Sequence, residues 1–446
     1  MVMLIRSTPT NYQKNNARLG RVSAVVGGGG SGSLGSDTKP QSKNNTVSKY
    51  DARKQVFSLK NQASKLLPNH RVCGCCNHRV NKDALVGVKV ATHQNNNGVT
   101  RKATLTNVFR CDSIWVCPVC SQRILAKRGK EIEQALQMVE YKGGSVFMLT
   151  LTHSHQLGEA LKPKLKLLGK ALTRFFGDRT MQALFAKCGL IGHIKALEFT
   201  HSFNNGWHPH NHILMFSSFR DDEFKKMTVP ITFDKNGFIQ LVTPTRYKMM
   251  KKRGQLGSMS HVTIEDFIKH YWRKVCLAVG LGEPSFERGA TLQDADKAKS
   301  YLTKFKTSQE MVGTSKVAKG SSRNQWQLLQ DSLGGDAQAS ALFAEYAEAT
   351  HGQRQLVWSR GLKEFFNIEQ VEDAQCEDTS DDEVVNEEIA YFQVEQWHFV
   401  RKHNLIAELL NLAEMHGMEK LKEYIEKIPI TARPVQDDPS LAVMRL

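Results

Sequence analysis

HPHNHILMF, residues 208–216, sets histidines at alternate positions and follows them with an apolar run. In an extended strand, side chains at i, i+2 and i+4 share one face. Read as a strand, the stretch lines His208, His210 and His212 along one side. Neutral imidazole is the commonest metal ligand, so a metal-binding strand is the expectation. The competing reading is three unrelated surface histidines in a turn, because Gly206, Pro209 and Asn211 are turn-prone.

The flanking sequence favours the strand. FMLTLT, residues 147–152, is apolar and β-branched and reads as a buried strand. LIGHIKALEFT, residues 190–200, reads as another. Asn204, Asn205 and Gly206 then supply a turn, so residues 191–216 form a β-hairpin. A turn centred on Asn204–Asn205 brings Glu198 opposite His210 or His212. A carboxylate would thereby join the imidazoles, whereas a one-residue slip would turn it to the other face.

The chain has 446 residues and a formal net charge of +17, which points to a polyanionic partner, most simply nucleic acid. No basic amphipathic helix or lipidation signal suggests a membrane surface. No apolar run reaches the length of a membrane span, and the N-terminus lacks the apolar core of a signal peptide. The expectation is a cytoplasmic protein. The run GGGGSGSLGS at 27–36 lacks the Gly-Lys-Ser/Thr ending of a phosphate loop, so nucleotide-triphosphatase chemistry is not expected.

Six of the nine cysteines fall between Cys73 and Cys120. Clustered CxxC pairs in an intracellular chain read as metal ligands rather than disulfides. Cys73 and Cys76 form one pair and Cys117 and Cys120 the other, a set suited to structural Zn²⁺. Cys75, His78 and Cys111 compete as ligands, and catalytic thiols are the other reading. The sequence between the knuckles reads as a looped or hairpin insertion. Arg123, Lys127, Arg128 and Lys130 follow on a helix over 121–141 that could lie along DNA phosphates or be a solvated face.

Residues 157–188, 264–281, 292–307, 326–367 and 389–428 read as helical. Residues 225–262 read as loops and a sheet edge around GFIQLVT. Tyr301 and Lys304 share a helix face, and on spacing alone Tyr301 is an ordinary half-buried aromatic. Residues 369–388 carry ten Asp or Glu and no Lys or Arg, which reads as an acidic linker. The expected organisation is a basic, glycine-rich tail (1–50), a zinc-binding and basic-helix module (51–140), a main domain (141–310), a helical extension (311–368), the linker (369–388) and a C-terminal helical segment (389–446). The fold class is α+β: a central antiparallel β-sheet flanked by helices.

WVCPVC, GWHPHNHILMF and SYLTKF, in that order, resemble the rolling-circle replication initiators of small bacterial plasmids, in the HUH endonuclease superfamily. FMLTLT, ALEFT and QLVWSRGL add to the likeness, which spans about residues 70–367. It implies an HUH palm, related to RNA-recognition sheets, for the main domain. It maps His210 and His212 to the metal ligands, leaving His208 a weaker candidate. Polar Asn211 occupies a position where the motif has an apolar residue. Tyr301 maps to the nucleophile and Lys304 to its partner. The implied reaction is nicking and rejoining of one DNA strand through a 5′-phosphotyrosine, with Mg²⁺ or Mn²⁺. The implied partners are a plasmid origin, single-stranded or as a hairpin, and host helicase and polymerase.

Two other readings carry weight. A transposase or relaxase shares the chemistry, although many relaxases place the tyrosine before the histidines. A non-catalytic zinc-binding DNA regulator fits the charge and cysteines but leaves HPHNH and YLTK unexplained.

Overall fold

One long hairpin forms the spine of the molecule. Strand β4 (Leu190–Ser202) pairs antiparallel with β5 (Gly206–Ser217), and Ser202 faces Gly206 across a short turn. Gly206 has φ of +72°, and a Cβ there would lie 2.8 Å from the Gln156 carbonyl oxygen, so both backbone and space call for glycine. The computed structural model describes residues 49–95, 98–294, 322–369 and 384–430, with Asp296, Ala298 and Ser300. Tyr301 and Lys304 lie outside the described residues.

The hairpin is extended on both sides. β3 (Ser145–Leu151) pairs with β5, and β9 (Ala290–Gln293) pairs with β3. On the other edge, β10 (Ser322–Arg323) and β11 (Leu356–Trp358) pair with β4, giving the order β10-β4-β5-β3-β9 with β11 beside β4. The pairings are antiparallel, so the expected central antiparallel sheet flanked by helices is present.

Both faces are covered, because alternate residues are apolar on each. Val146, Met148, Ile194, Leu214 and Phe216 face α2 (Pro118–Tyr141), and the Phe216 ring lies 5.1 Å from Phe366. Phe147, Leu149, Ile213 and Met215 face α3 (Leu161–Gly177), α4 (Arg179–Lys187) and α7 (Ile264–Val279). Helix α7 buries Ile264, Phe267, Ile268, Tyr271, Trp272 and Val275, a helical stripe. It starts on Thr263, which accepts from the Asp266 N–H, and stops at left-handed Gly280. Each of the large core side chains contributes about 1.5–3 kcal/mol by leaving water.

A second sheet joins distant parts of the chain. β1 (Gly87–Asn95) and β2 (Gly98–Thr106) form the hairpin between the cysteine knuckles. β12 (Val384–Tyr391) adds to β1, and the helix Ile406–Glu426 packs over them. Arg53 of α1 (Lys49–Leu66) binds Glu414 of that helix at 2.7 Å. The last residues of the acidic run are therefore strand; its central part, 370–383, lies outside the described residues. A third sheet, β7 (Ile239–Leu241)-β6 (Thr228–Phe233)-β8 (Ser260–Thr263), with α6 (Pro244–Lys252), occupies the segment read as loops and edge. Within 326–367, residues 356–358 are strand rather than helix, because they complete the backbone pairing of β4. Among the described residues, no helix is long and apolar enough to cross a membrane.

The tightest backbone approach in the sheet lies at Gly144, where a Cβ would meet the Ser217 carbonyl oxygen at 2.3 Å. Gly144→Ala should destabilise the protein by about 1–3 kcal/mol, read as a lowered midpoint in urea unfolding. An unchanged midpoint would contradict this packing.

Candidate active site and metal centres

The hairpin register builds the first cluster. Glu198 pairs with His210, Ala196 with His212 and Thr200 with His208. Glu198 Oε2 lies 3.6 Å from Nε2 of His210 and 3.6 Å from Nε2 of His212. Small Ala196 opposite His212 leaves the space into which Glu198 reaches. Ligands about 2.1 Å from a common ion stand about 3.0–3.4 Å apart at octahedral to tetrahedral angles. The three groups sit close to that spacing, so they fit a divalent ion after a small contraction.

The outward nitrogens of both rings are engaged. His212 Nδ1 lies 2.9 Å from Thr150 Oγ1 on β3, its direct cross-strand partner. His210 Nδ1 lies 3.3 Å from the His208 carbonyl oxygen and donates to it in the neutral ring. A donated Nδ1–H fixes the tautomer whose Nε2 carries the lone pair, the form needed for metal ligation. The start of β5 is anchored as well. Trp207 donates its indole N–H to Glu345 at 3.0 Å and stacks on Tyr346.

His208 shares the face but does not converge with the other three. Its ring stacks on His155 at 4.4 Å, and burial, then His210, push its pKa down to about 3. His153 and His155, just after β3, were not singled out in the sequence. His153 is buried, its pKa pushed down to about 4 by that burial, and its Nε2 has no hydrogen-bond partner among the described residues. The repeat Thr152-His153-Ser154-His155 after the FMLTLT strand was the available signal.

The second cluster corrects the cysteine assignment. Cys75, Cys111, Cys117 and Cys120 converge, all buried. Sulfur–sulfur distances are 3.5 Å for Cys75–Cys120, 3.7 Å for Cys111–Cys120 and 3.7 Å for Cys117–Cys75. Four thiolates about 2.3 Å from a zinc ion stand about 3.8 Å apart, so the set fits a closed tetrahedral site. Cys117 and Cys120 are in the group as read from the sequence; Cys73 and Cys76 are not. Cys73 points away, 3.1 Å from the Leu67 carbonyl oxygen. Cys76 has φ of +57°, accepts from Arg110 at 2.8 Å, and its backbone N–H donates to the Phe109 carbonyl. Hydrogen bonds from Cys111, Cys117 and Cys75 push Cys120 far down, while burial and its sulfur neighbours hold Cys117 well above its ordinary value. Sulfurs this close cannot all ionise without a cation among them.

The basic helix residues are partly committed to structure. Arg123 pairs with Asp112 beside Cys111, and Arg128 donates to Gln355 at 3.1 Å. Lys127 is half-buried. A phosphate-binding role for Arg123 and Arg128 would compete with these contacts.

The cysteine geometry gives a direct check. Zinc content, measured by elemental analysis, should be about one per chain in native protein and in Cys73→Ser, and lost in Cys75→Ser and Cys111→Ser. Loss in Cys73→Ser with retention in Cys111→Ser would contradict the geometry.

Independent comparisons bear on the same region. The family model described as "Replication protein" matches residues 102–230, which hold the second knuckle and the β4–β5 hairpin. A "Protein rep" of Streptomyces lividans is 25% identical over 60% of this chain and 66% of its own length. A "Protein rep" of Lentilactobacillus hilgardii is 30% identical over 23% of this chain and 31% of its own. A "Neomycin resistance protein" of Streptomyces cyanogenus is 26% identical over 25% and 31% respectively. The chain thus spans two thirds of these relatives' length at most. No solved structure matches. Residues 102–230 are thus similar to the replication-protein family, in line with the likeness that the histidine and tyrosine motifs carry.

Proposed function

We propose that the chain initiates rolling-circle replication of a plasmid by nicking one strand at the origin, and later rejoins it. The observation that carries this reading is the convergence of Glu198, His210 and His212 on one sheet face, inside the family-matched segment. A divalent ion held there, Mg²⁺ or Mn²⁺, would polarise a phosphoryl oxygen of the scissile phosphate.

The phenolic oxygen of Tyr301 attacks phosphorus in line. One P–O bond forms to tyrosine, and the bond to the 3′ oxygen breaks. The phenol proton is lost to solvent, and the departing 3′ oxygen takes one up. A phenol of pKa near 10 is only about one part in a thousand ionised at pH 7, and the Lys304 ammonium would raise that fraction. The products are a 5′-phosphotyrosine and a free 3′-OH. The phosphodiester is conserved in the covalent link, so rejoining needs no ATP. The 3′-OH would prime a host polymerase while a host helicase opens the duplex. The four-cysteine group would hold a structural Zn²⁺.

The test is adduct formation on single-stranded origin oligonucleotides with Mn²⁺, followed by denaturing electrophoresis. Native protein should form an SDS-stable adduct. Tyr301→Phe should abolish it, and His210→Ala should reduce its rate at least about 100-fold. Thr150→Val, which removes the hydroxyl beside His212, should reduce it about 10–100-fold. No adduct on either origin strand, or native-rate adduct in Tyr301→Phe, would overturn the reading.

A further inference from the structure

The face of β5 opposite the histidines holds a second candidate site. Asn211 lies between the two metal-ligating histidines in sequence, so the strand's alternation aims it through the sheet to the other side. It is 3% exposed, and its Nδ2 has no hydrogen-bond partner among the described residues. A buried, unpaired amide donor costs about 1–3 kcal/mol. An apolar residue at this position would avoid that cost.

Asn211 does not face solid core. It lines a cavity of about 230 Å³ between α3 and the β4–β5 hairpin. Leu165, Leu168 and Leu172 of α3 form an apolar wall. Lys195 and Arg354 also line it, and none of its lining residues carries a carboxylate. Arg354 is exposed. Lys195 is half-buried, and burial lowers its pKa. Its ammonium lies 5.2 Å from the centre of the Phe176 ring. An apolar wall, an inward amide donor and two cations with no carboxylate among the lining residues form a recognisable set. The volume lies just below the roughly 300 Å³ at which small-molecule sites begin, so it suits one planar group rather than a long ligand.

We propose that this cavity is a nucleotide-binding site, separate from the metal face, that takes one nucleobase and its phosphate. The base lies against the leucine wall, and the Asn211 amide donates to a ring nitrogen or carbonyl oxygen of the base. The phosphate meets Lys195 and Arg354 at the mouth. Two sources offer the same chemistry: a residue of a bound DNA strand and a free mononucleotide. A strand held there would stand on the reverse of the sheet that carries the nicking site. Occupancy would also fix the backbone between His210 and His212. The strand form rests on the DNA-handling role proposed above; the free form does not.

The test is equilibrium binding in EDTA, which removes metal-face contributions. The probes are the four deoxynucleoside 5′-monophosphates and a fluorescent single-stranded oligonucleotide of mixed sequence. Leu172→Trp fills the cavity from its half-buried rim, and Arg354→Glu reverses a charge on an exposed loop. Both variants should weaken one or both probes at least about tenfold, with circular-dichroism melting unchanged in Arg354→Glu. Weakening of the oligonucleotide alone assigns the site to the strand, and weakening of a monophosphate assigns it to free nucleotide. If Leu172→Trp does not fold, Arg354→Glu and Lys195→Ala carry the test. Native-like binding of the oligonucleotide by the folded variants, with no monophosphate bound to native protein at millimolar concentration, would overturn the proposal. Adduct formation is scored separately with Mn²⁺, so a protein that binds nucleotide without nicking would sink the nicking reaction and leave this site standing.

Discussion

The cross-strand register of β4 and β5 is the constraint on which the rest depends. With Glu198 opposite His210, one carboxylate reaches two imidazoles without any long loop to order. A shift of one residue would carry Glu198 to the α3 side of the sheet and pair the histidines with apolar neighbours. The register is held at several points. Gly206 permits the tight turn, Phe216 and Leu214 lock the far end into the core, and Thr150 on β3 ties the third strand to His212. Site geometry is thus a consequence of sheet packing, with strands rather than loops carrying Glu198, His210 and His212.

The cysteine cluster is coupled to the same sheet. Trp115, two residues before Cys117, packs edge-on against Phe199 at 5.4 Å and donates its indole N–H to the Gln353 carbonyl at 2.8 Å. Phe199 is the neighbour of Glu198 on β4. The Gln355 carbonyl accepts from Leu197 N–H at 2.9 Å, which leads into β11 on the sheet edge. The knuckle segment is therefore packed against β4 through Trp115 and Phe199, while α3 and α7 cover β5 and β3.

Legibility in the sequence followed the range of the interactions. The hairpin was readable because alternation, a turn signal and a single carboxylate all lie within one local stretch; the structure places Glu198 against His210 and His212. The cysteines were less readable. CxxC spacing favoured Cys73 with Cys76, but the left-handed backbone at Cys76 and its bonds to Arg110 and Phe109 turn Cys75 inward instead. That geometry depends on a partner more than 30 residues away, which spacing within one knuckle does not encode. Cys111 was visible only as a competing ligand for the same reason. β12 was hidden inside an acidic run, because an edge strand can carry charge and its pairing partner β1 lies almost 300 residues earlier. The cavity behind Asn211 depends on tertiary contacts and had no local pattern to mark it, while His153 and His155 showed only as the alternation Thr152-His153-Ser154-His155. Tyr301 and Lys304 stand on motif likeness alone, since they fall outside the described residues.

The central claim is that Glu198, His210 and His212 together hold a divalent ion. Mn²⁺ binding to the zinc-loaded chain, followed by electron paramagnetic resonance, tests it most directly, because thiolates disfavour Mn²⁺ while imidazole and carboxylate accept it. The account predicts about one Mn²⁺ per chain in native protein and in Tyr301→Phe, with affinity at least about tenfold weaker in Glu198→Ala and His212→Ala. Native Mn²⁺ affinity in Glu198→Ala would contradict it.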